Sequence, residues 1–195
     1  MFSFFRRRQK QELQSVESLI TEVLPIIKVG VDSNSTDPFE VTDNGPVYKR
    51  ICGDLICFFG IDRGAYFELI LRTHLPDRIS IDDLEKTARE NLVRKIEGNT
   101  KIHQTTFGGI GFSCGGEFEA SLLIVPDIWE AVVERLGSPL FFAVPSKELI
   151  AFVSSKNDTS LNGLRDMVMQ VHNREEKPLS KHIFLYEDGK MSVAE

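Results

Sequence analysis

The chain has 195 residues, of which 42% are hydrophobic and 27% charged, and its formal net charge is -6. That length suits one domain, or one domain with short appendages. The composition excludes a disordered chain, a collagen-like fibre and a disulfide scaffold. The charge is uneven, because residues 1–10 hold four basic side chains and no acidic one, which leaves 19 basic and 29 acidic side chains elsewhere.

The basic segment, residues 1–10, combines cations with aromatic rings. Its aromatic residues are Phe2, Phe4 and Phe5, and its basic residues are Arg6, Arg7, Arg8 and Lys10. It is typical of a solubilising helix start, with membrane-surface contact as the alternative. The acidic remainder does not attract a phosphate backbone, so we expect no nucleic-acid partner. We find no secretory signal and no run of ~18 apolar residues, so the sequence predicts a soluble cytoplasmic protein.

The cysteines and histidines indicate neither a disulfide frame nor a metal site. The odd number of cysteines, at 52, 57 and 114, suggests reduced thiols. The C-x4-C spacing of the first two lacks a second ligand pair, and the four histidines are scattered singly. We therefore expect no structural metal and no cofactor.

The first elements in the chain are an amphipathic helix and an acidic linker. Residues 1–30 are predicted as an N-terminal amphipathic helix, because apolar residues recur at spacings of three and four between 9 and 27. Pro25 marks a kink or stop in it. Residues 31–46 contain four acids, no base and two prolines, which is typical of a linker.

Residues 47–195 are predicted as an α+β domain with a mainly antiparallel sheet and packed helices. Its first part is β-rich over 47–61 and 66–71, with Asp62-Arg63-Gly64 as a hairpin turn. A helix follows that is capped by Ser80, and its buried stripe is formed by Leu84, Ala88, Leu92 and Ile96.

The second part of the domain repeats this mixture of strands and helices. We predict a strand over 101–107, a glycine-rich turn or bulge over 108–116, and a helical segment over 117–136 that breaks at Pro126. Two strands of one sheet (140–144 and 149–153), a helix (161–171) and a final hairpin (183–193) complete it.

The candidate catalytic residues lie around the glycine-rich segment. Gly111-Phe112-Ser113-Cys114-Gly115 matches the G-x-S-x-G pattern of a nucleophile elbow, with Ser113 as nucleophile. Cys114 is a second candidate nucleophile, because a thiol ahead of a helix N-terminus has a lowered pKa. His103 is the candidate base if its strand pairs with the segment that follows.

Structural interpretations stand beside these catalytic ones, and we favour them. The glycines suit a turn or bulge that lets two backbones approach closely. Glu117 and Glu119 suit the start of the following helix, where acids complement the helix dipole, although paired carboxylates also perform acid–base chemistry.

Several segments in sequential order resemble a known family. They are DLICFFGIDRG at 54–64, ARENL at 88–92, GGEFEAS at 115–121, AVPSKEL at 143–149, and Leu179-Ser180 ahead of the Asp188-Gly189 hairpin. Together they resemble the YtpQ-like family of bacterial proteins, which is built around a domain of unknown function. The resemblance spans roughly residues 47–195, implies a bacterial, cytoplasmic α+β domain, and names no catalytic residue.

These patterns favour a non-enzymatic binding or protein-interaction module with a protein partner or self-association. The alternative is a small hydrolase or thiol-dependent enzyme that uses Ser113 or Cys114 with His103. The acidic body and the separate amphipathic helix favour the interaction module.

Overall fold

The computed structural model describes residues 20–30, 44–76 and 78–195. Within these ranges the protein has two antiparallel sheets and three α-helices, which confirms the predicted α+β class. Most of the predicted N-terminal amphipathic helix, residues 1–19, and most of the acidic linker, residues 31–43, lie outside the described residues.

The smaller sheet has four strands, with β3 pairing to each of the other three. They are β1 (Leu24–Val29), β2 (Tyr48–Cys52), β3 (Leu55–Asp62) and β4 (Phe67–Leu69). The predicted turn between β3 and β4 is confirmed, and Gly64 has the positive φ of 78° that this turn requires. A second turn at Gly53 and Asp54 divides the predicted β-rich stretch into β2 and β3.

The larger sheet has six strands in the order β10-β9-β7-β8-β6-β5. They are β5 (Lys101–Gln104), β6 (Ile110–Ser113), β7 (Leu140–Ser146), β8 (Leu149–Ser154), β9 (Phe184–Glu187) and β10 (Lys190–Val193). The predicted pair of strands before the last helix and the predicted final hairpin are both confirmed. The prediction of a turn or bulge over 108–116 is wrong in part, because β6 lies inside that segment.

The predicted helix over residues 9–27 is wrong at its C-terminal end. There, residues 24–29 form β1, with Leu24 opposite Gly60 and Val29 opposite Leu55. Pro25 offers no amide hydrogen for a helix, and an edge strand such as β1 tolerates it. The β-branched residues that follow it favour extended backbone. Because β1 pairs in the same sheet as β2 and β3, the α+β domain begins before residue 47.

The three helices are α1 (Ile81–Ile96), α2 (Pro126–Leu136) and α3 (Asp158–Arg174). The predicted start of α1 is confirmed: the Ser80 hydroxyl accepts the Asp83 amide at 3.1 Å, and the Asp83 carboxylate accepts the Ser80 amide. The Ser80 hydroxyl also donates to the Asp83 carboxylate at 2.6 Å, and this bond, followed by that from the Ser80 amide, lowers the pKa of Asp83. The helical segment predicted over 117–136 is a short 3-10 helix (Ala120–Ile124) followed by α2, which starts at Pro126 as the proline break predicts.

The main core lies between the two sheets and is rich in aromatic rings. Its fully buried phenylalanines are Phe59, Phe142, Phe152 and Phe184. The apolar stripe of α1 joins this core. A second cluster, formed by α3 against β7 and β8, covers the opposite face of the larger sheet. The central strands β7 and β8 of the larger sheet are therefore buried on both faces, whereas β5 is exposed.

Candidate functional site

The glycine-rich segment forms a strand because its glycines fit against β8. A Cβ atom placed on Gly109 would lie 2.4 Å from the Phe152 carbonyl oxygen, and one on Gly111 would lie 3.3 Å from the Ile150 carbonyl oxygen. The predicted close approach of two backbones is thus present, and it takes the form of strand pairing between β6 and β8.

His103 and Ser113 are brought together by the pairing of β5 with β6. In that ladder His103 lies opposite Gly111 and Lys101 lies opposite Ser113. His103 Nε2 is 2.6 Å from Ser113 Oγ. The histidine is exposed, and no carboxylate among the described residues binds its other ring nitrogen. The pair therefore has a hydrogen bond between nucleophile and base without the acid that orients a catalytic histidine.

The loop after Ser113 directs three backbone amides at one buried carboxylate. Glu119, which is 1% exposed, accepts the amides of Cys114 and Gly116 at 2.8 Å and that of Phe118 at 3.1 Å. An oxyanion hole is built from backbone donors of this kind. Here the three amides already donate to the Glu119 carboxylate, so none of them is left to donate to a substrate oxyanion.

The predicted lowering of the Cys114 pKa is wrong. Cys114 is 5% exposed, and burial, followed by the negative charge of Glu119, raises its pKa to about 12. The prediction that Glu117 and Glu119 open a helix is wrong for Glu117, which lies exposed on a bend, whereas Glu119 directly precedes the 3-10 helix and its side chain folds back onto the preceding loop. Of the four candidate residues, His103, Ser113, Cys114 and Glu117, the structure joins His103 to Ser113 through one hydrogen bond.

We expect thiol reagents to label Cys52 well before Cys57 and Cys114. Burial raises the pKa of all three thiols, but Cys52 is only half-buried, whereas the pKa of Cys57 and of Cys114 is raised to about 12, which leaves almost no thiolate at neutral pH. Mass spectrometry after short iodoacetamide exposure measures the order. If Cys114 were labelled first in the folded protein, its burial and raised pKa would be contradicted.

A cleft of about 450 Å³ opens where β2, α2 and the β9–β10 hairpin meet. Trp129 and Tyr186 form its aromatic floor, with ring centroids 4.4 Å apart in a stacked arrangement. The Trp129 indole N–H donates to the Leu123 carbonyl at 2.9 Å, which fixes the ring. Ile51 and Met191 add apolar surface from β2 and β10. The cleft thus joins an aromatic and apolar floor to a lining that also contains charged residues.

The rim of the cleft carries charged side chains. Lys49 Nζ lies 2.8 Å from Asp82 and 2.5 Å from Glu85, which ties β2 to the first turn of α1. Hydrogen bonds to Asp82 and then Glu85 raise the pKa of Lys49. The positive charge of Lys49 is thus already paired with two carboxylates of α1.

An acidic stripe on α2 borders the same cleft. It consists of Asp127, Glu130 and Glu134, which the helical spacing places on one face. All three are exposed, and none has a hydrogen-bond or ion-pair partner among the described residues. Glu130 also lines the cleft. The cleft therefore combines an aromatic floor with the acidic stripe of α2, and the exposed Arg50 adds a positive charge to its lining.

Trp129 belongs to the main core as well as to the cleft, and no sequence pattern predicted this cleft. Its walls come from β2, α2 and β10, which are separated by some 140 residues in the chain, so only the folded topology brings them together. The one sequence feature that pointed to this region is the recurrence of acids at 127, 130 and 134, whose helical spacing indicates an acidic helix face.

Among the described residues, no group of three or more His, Cys, Asp or Glu is placed to hold a metal ion, and no helix has the length and apolarity to cross a bilayer. Comparisons with protein-family models, curated proteins and solved structures found no match to this chain. The resemblance to the YtpQ-like family remains a prediction.

Proposed function

We propose that this protein is a non-enzymatic interaction module whose cleft binds a peptide segment carrying apolar and basic side chains. The observation that supports this most is the cleft itself, in which unpaired Glu130 stands beside the stacked Trp129–Tyr186 pair. The YtpQ-like resemblance adds support for a bacterial, cytoplasmic protein.

The floor accounts for binding of an apolar side chain. Tryptophan and tyrosine provide large contact areas with little loss of side-chain entropy, and they dominate binding energies at protein interfaces. Met191 is flexible and polarizable, so it adapts to side chains of different shape. An apolar group that enters the cleft displaces water from these surfaces, which stabilises the complex.

The acidic stripe accounts for the preference for basic neighbours. Asp127, Glu130 and Glu134 are exposed, so they retain their attraction for a cation up to about a Debye length, roughly 8 Å at physiological salt. Lys49 is already paired with two acids of α1, so Arg50 and the three acids of the stripe are the charges that a ligand meets at the cleft. We therefore expect arginine or lysine next to the apolar side chain to strengthen binding and to raise the association rate.

The test is binding of dye-labelled peptides measured by fluorescence anisotropy. We expect the peptide GLFRRG to bind, the charge-reversed GLFEEG to bind at least roughly tenfold more weakly, and GSGRRG, which lacks the apolar pair, to lose similar affinity. Because the attraction is partly electrostatic, we also expect binding of GLFRRG to weaken as salt increases.

Matched variants locate the binding surface. Glu130→Lys should weaken binding of GLFRRG by roughly five- to tenfold at low salt, whereas Glu176→Lys makes the same charge change on an exposed loop and should have little effect. Met191→Ser should weaken binding by about tenfold. Met169→Ser makes the same change at an exposed methionine on α3 and should have little effect. Equal losses within each pair would contradict the proposed cleft, as would equal binding of all three peptides.

A small hydrolase is the second candidate function, and the 2.6 Å contact between His103 Nε2 and Ser113 Oγ is the observation that favours it. Because Glu119 occupies the nearby amides, we expect a fluorophosphonate probe at neutral pH to leave Ser113 unlabelled. Rapid selective labelling of Ser113 that disappears in His103→Ala would overturn the interaction module and establish the hydrolase.

A further inference from the structure

We propose that the cleft is occupied by a segment of this same chain, the basic segment at residues 1–10. This inference rests on the proposed function, since it names the partner that the cleft receives. In the isolated protein the basic segment then fills the cleft, and an external peptide binds only after it has displaced this segment.

The chemistry of the basic segment matches the two parts of the cleft. Its three phenylalanines suit the floor of Trp129 and Tyr186, because aromatic rings favour edge-to-face or offset contacts with one another. Its cations come directly after these rings, at positions 6, 7, 8 and 10, and suit the stripe of Asp127, Glu130 and Glu134.

The charge distribution favours the same pairing. Residues 1–10 carry a net charge of +4, whereas the other 185 residues, with 19 basic and 29 acidic side chains, carry -10. On α2 the exposed acids lack partners among the described residues. A cationic segment tethered to an acidic body is drawn to unpaired acids, and the cleft places them beside an apolar surface.

The connection between the basic segment and the domain is long enough. The described chain starts at Ile20, and the Asn91 side chain binds the Thr21 and Val23 carbonyls at 2.9 and 2.8 Å, so residues 21–23 lie against α1. Glu85 of the same helix lines the cleft, and six residues of helix separate the two positions by roughly 9 Å. Nine residues, 11–19, span up to roughly 30 Å when extended.

Tethering makes such an interaction effective even if it is intrinsically weak. A segment joined by a short linker acts at an effective concentration in the millimolar range. The basic segment therefore competes strongly with any free peptide, and a partner gains access when it binds more tightly or when the positive charges are removed.

The test uses the full chain with the substitutions Arg6→Glu, Arg7→Glu and Arg8→Glu together. We expect GLFRRG to bind this triple variant roughly tenfold more tightly than the wild type, because its competitor no longer binds. The control carries Lys156→Glu, Lys177→Glu and Lys181→Glu, which make the same charge change at exposed positions, and should bind GLFRRG like the wild type.

The three outcomes separate this inference from the proposed function. Equal affinity of wild type and triple variant for GLFRRG, with the cleft variants still impaired, would overturn the inference and leave the proposed function standing. Equal tightening in the triple variant and its control would show a general charge effect and also overturn it. Absence of GLFRRG binding to every form would contradict the proposed function and the inference together.

Carbodiimide cross-linking of the wild type provides a direct readout of the contact. We expect an amide bond between Lys10 and Glu130 or Glu134 within one chain, identified by mass spectrometry in the monomer band and lost in the triple variant. Cross-links confined to dimers would assign the cleft to a second copy, and the absence of such links would leave the cleft without this occupant; either result contradicts the proposal.

Discussion

Replacement of Glu119 by glutamine is expected to lower the free energy of unfolding by roughly 3 kcal/mol, the largest effect we predict for a single polar side chain. The carboxylate accepts three backbone amides in a fully buried position. Glutamine has nearly the same shape but offers one acceptor oxygen and turns an N–H donor toward amide donors. At least one amide is then left buried without a partner.

Glu117→Gln is the matched control. It removes the same charge, but from an exposed side chain that lies two residues before Glu119. We expect it to change the free energy of unfolding by less than roughly 0.5 kcal/mol. Urea denaturation of both variants measures the difference. Equal, small effects would show that the Glu119 carboxylate does not hold the loop and would reopen its amides as an oxyanion site.

Replacement of Gly109 by alanine is expected to destabilise the protein by about 2–3 kcal/mol. Its new Cβ would lie 2.4 Å from the Phe152 carbonyl oxygen and 2.7 Å from Val153 Cγ1, so the backbone of β8 must move. Phe152 lies in the middle of the main core, against Phe142 and Trp129, and the shift is transmitted to its packing.

Gly111→Ala is a graded comparison in the same strand. There the Cβ would lie 3.3 Å from the Ile150 carbonyl oxygen, and the loss of unfolded-state entropy partly offsets the crowding. We expect a change of less than about 1 kcal/mol. Denaturation midpoints that are equal for the two variants would contradict the close approach of β6 and β8.

Elements with strong local signals could be predicted from the sequence. The start of α1 follows from Ser80 and the two acids after it, and its buried face follows from the spacing of Leu84, Ala88 and Leu92. The turn at Asp62–Gly64 and the final hairpin have the residues that such turns require. In these cases the neighbouring residues alone determine the conformation.

Elements that depend on distant partners could not be predicted in this way. Residues 24–29 have apolar spacing compatible with a helix, but pairing with β3 makes them a strand. β6 contains little side-chain pattern because of its glycines, and its contact with β8 lies some 40 residues away in the chain. Tertiary pairing overrides local preference in both segments.

The same distinction applies to the candidate site. The proximity of His103 to Ser113 could be foreseen on the condition that their strands pair. The inertness of Cys114 could not, because it depends on Glu119 turning back into the loop, which no local pattern indicates. The cleft was also missed, since its floor and rim come from opposite ends of the domain.

The most direct test of the proposed cleft follows the indole resonance of Trp129, the single tryptophan of the chain, in ¹H–¹⁵N spectra. Addition of unlabelled GLFRRG is predicted to shift this resonance in a saturable manner in the wild type and in Glu176→Lys, with a much weaker response in Glu130→Lys and Met191→Ser. A resonance that stays in place in the wild type while the peptide binds would put the binding surface elsewhere and contradict the account.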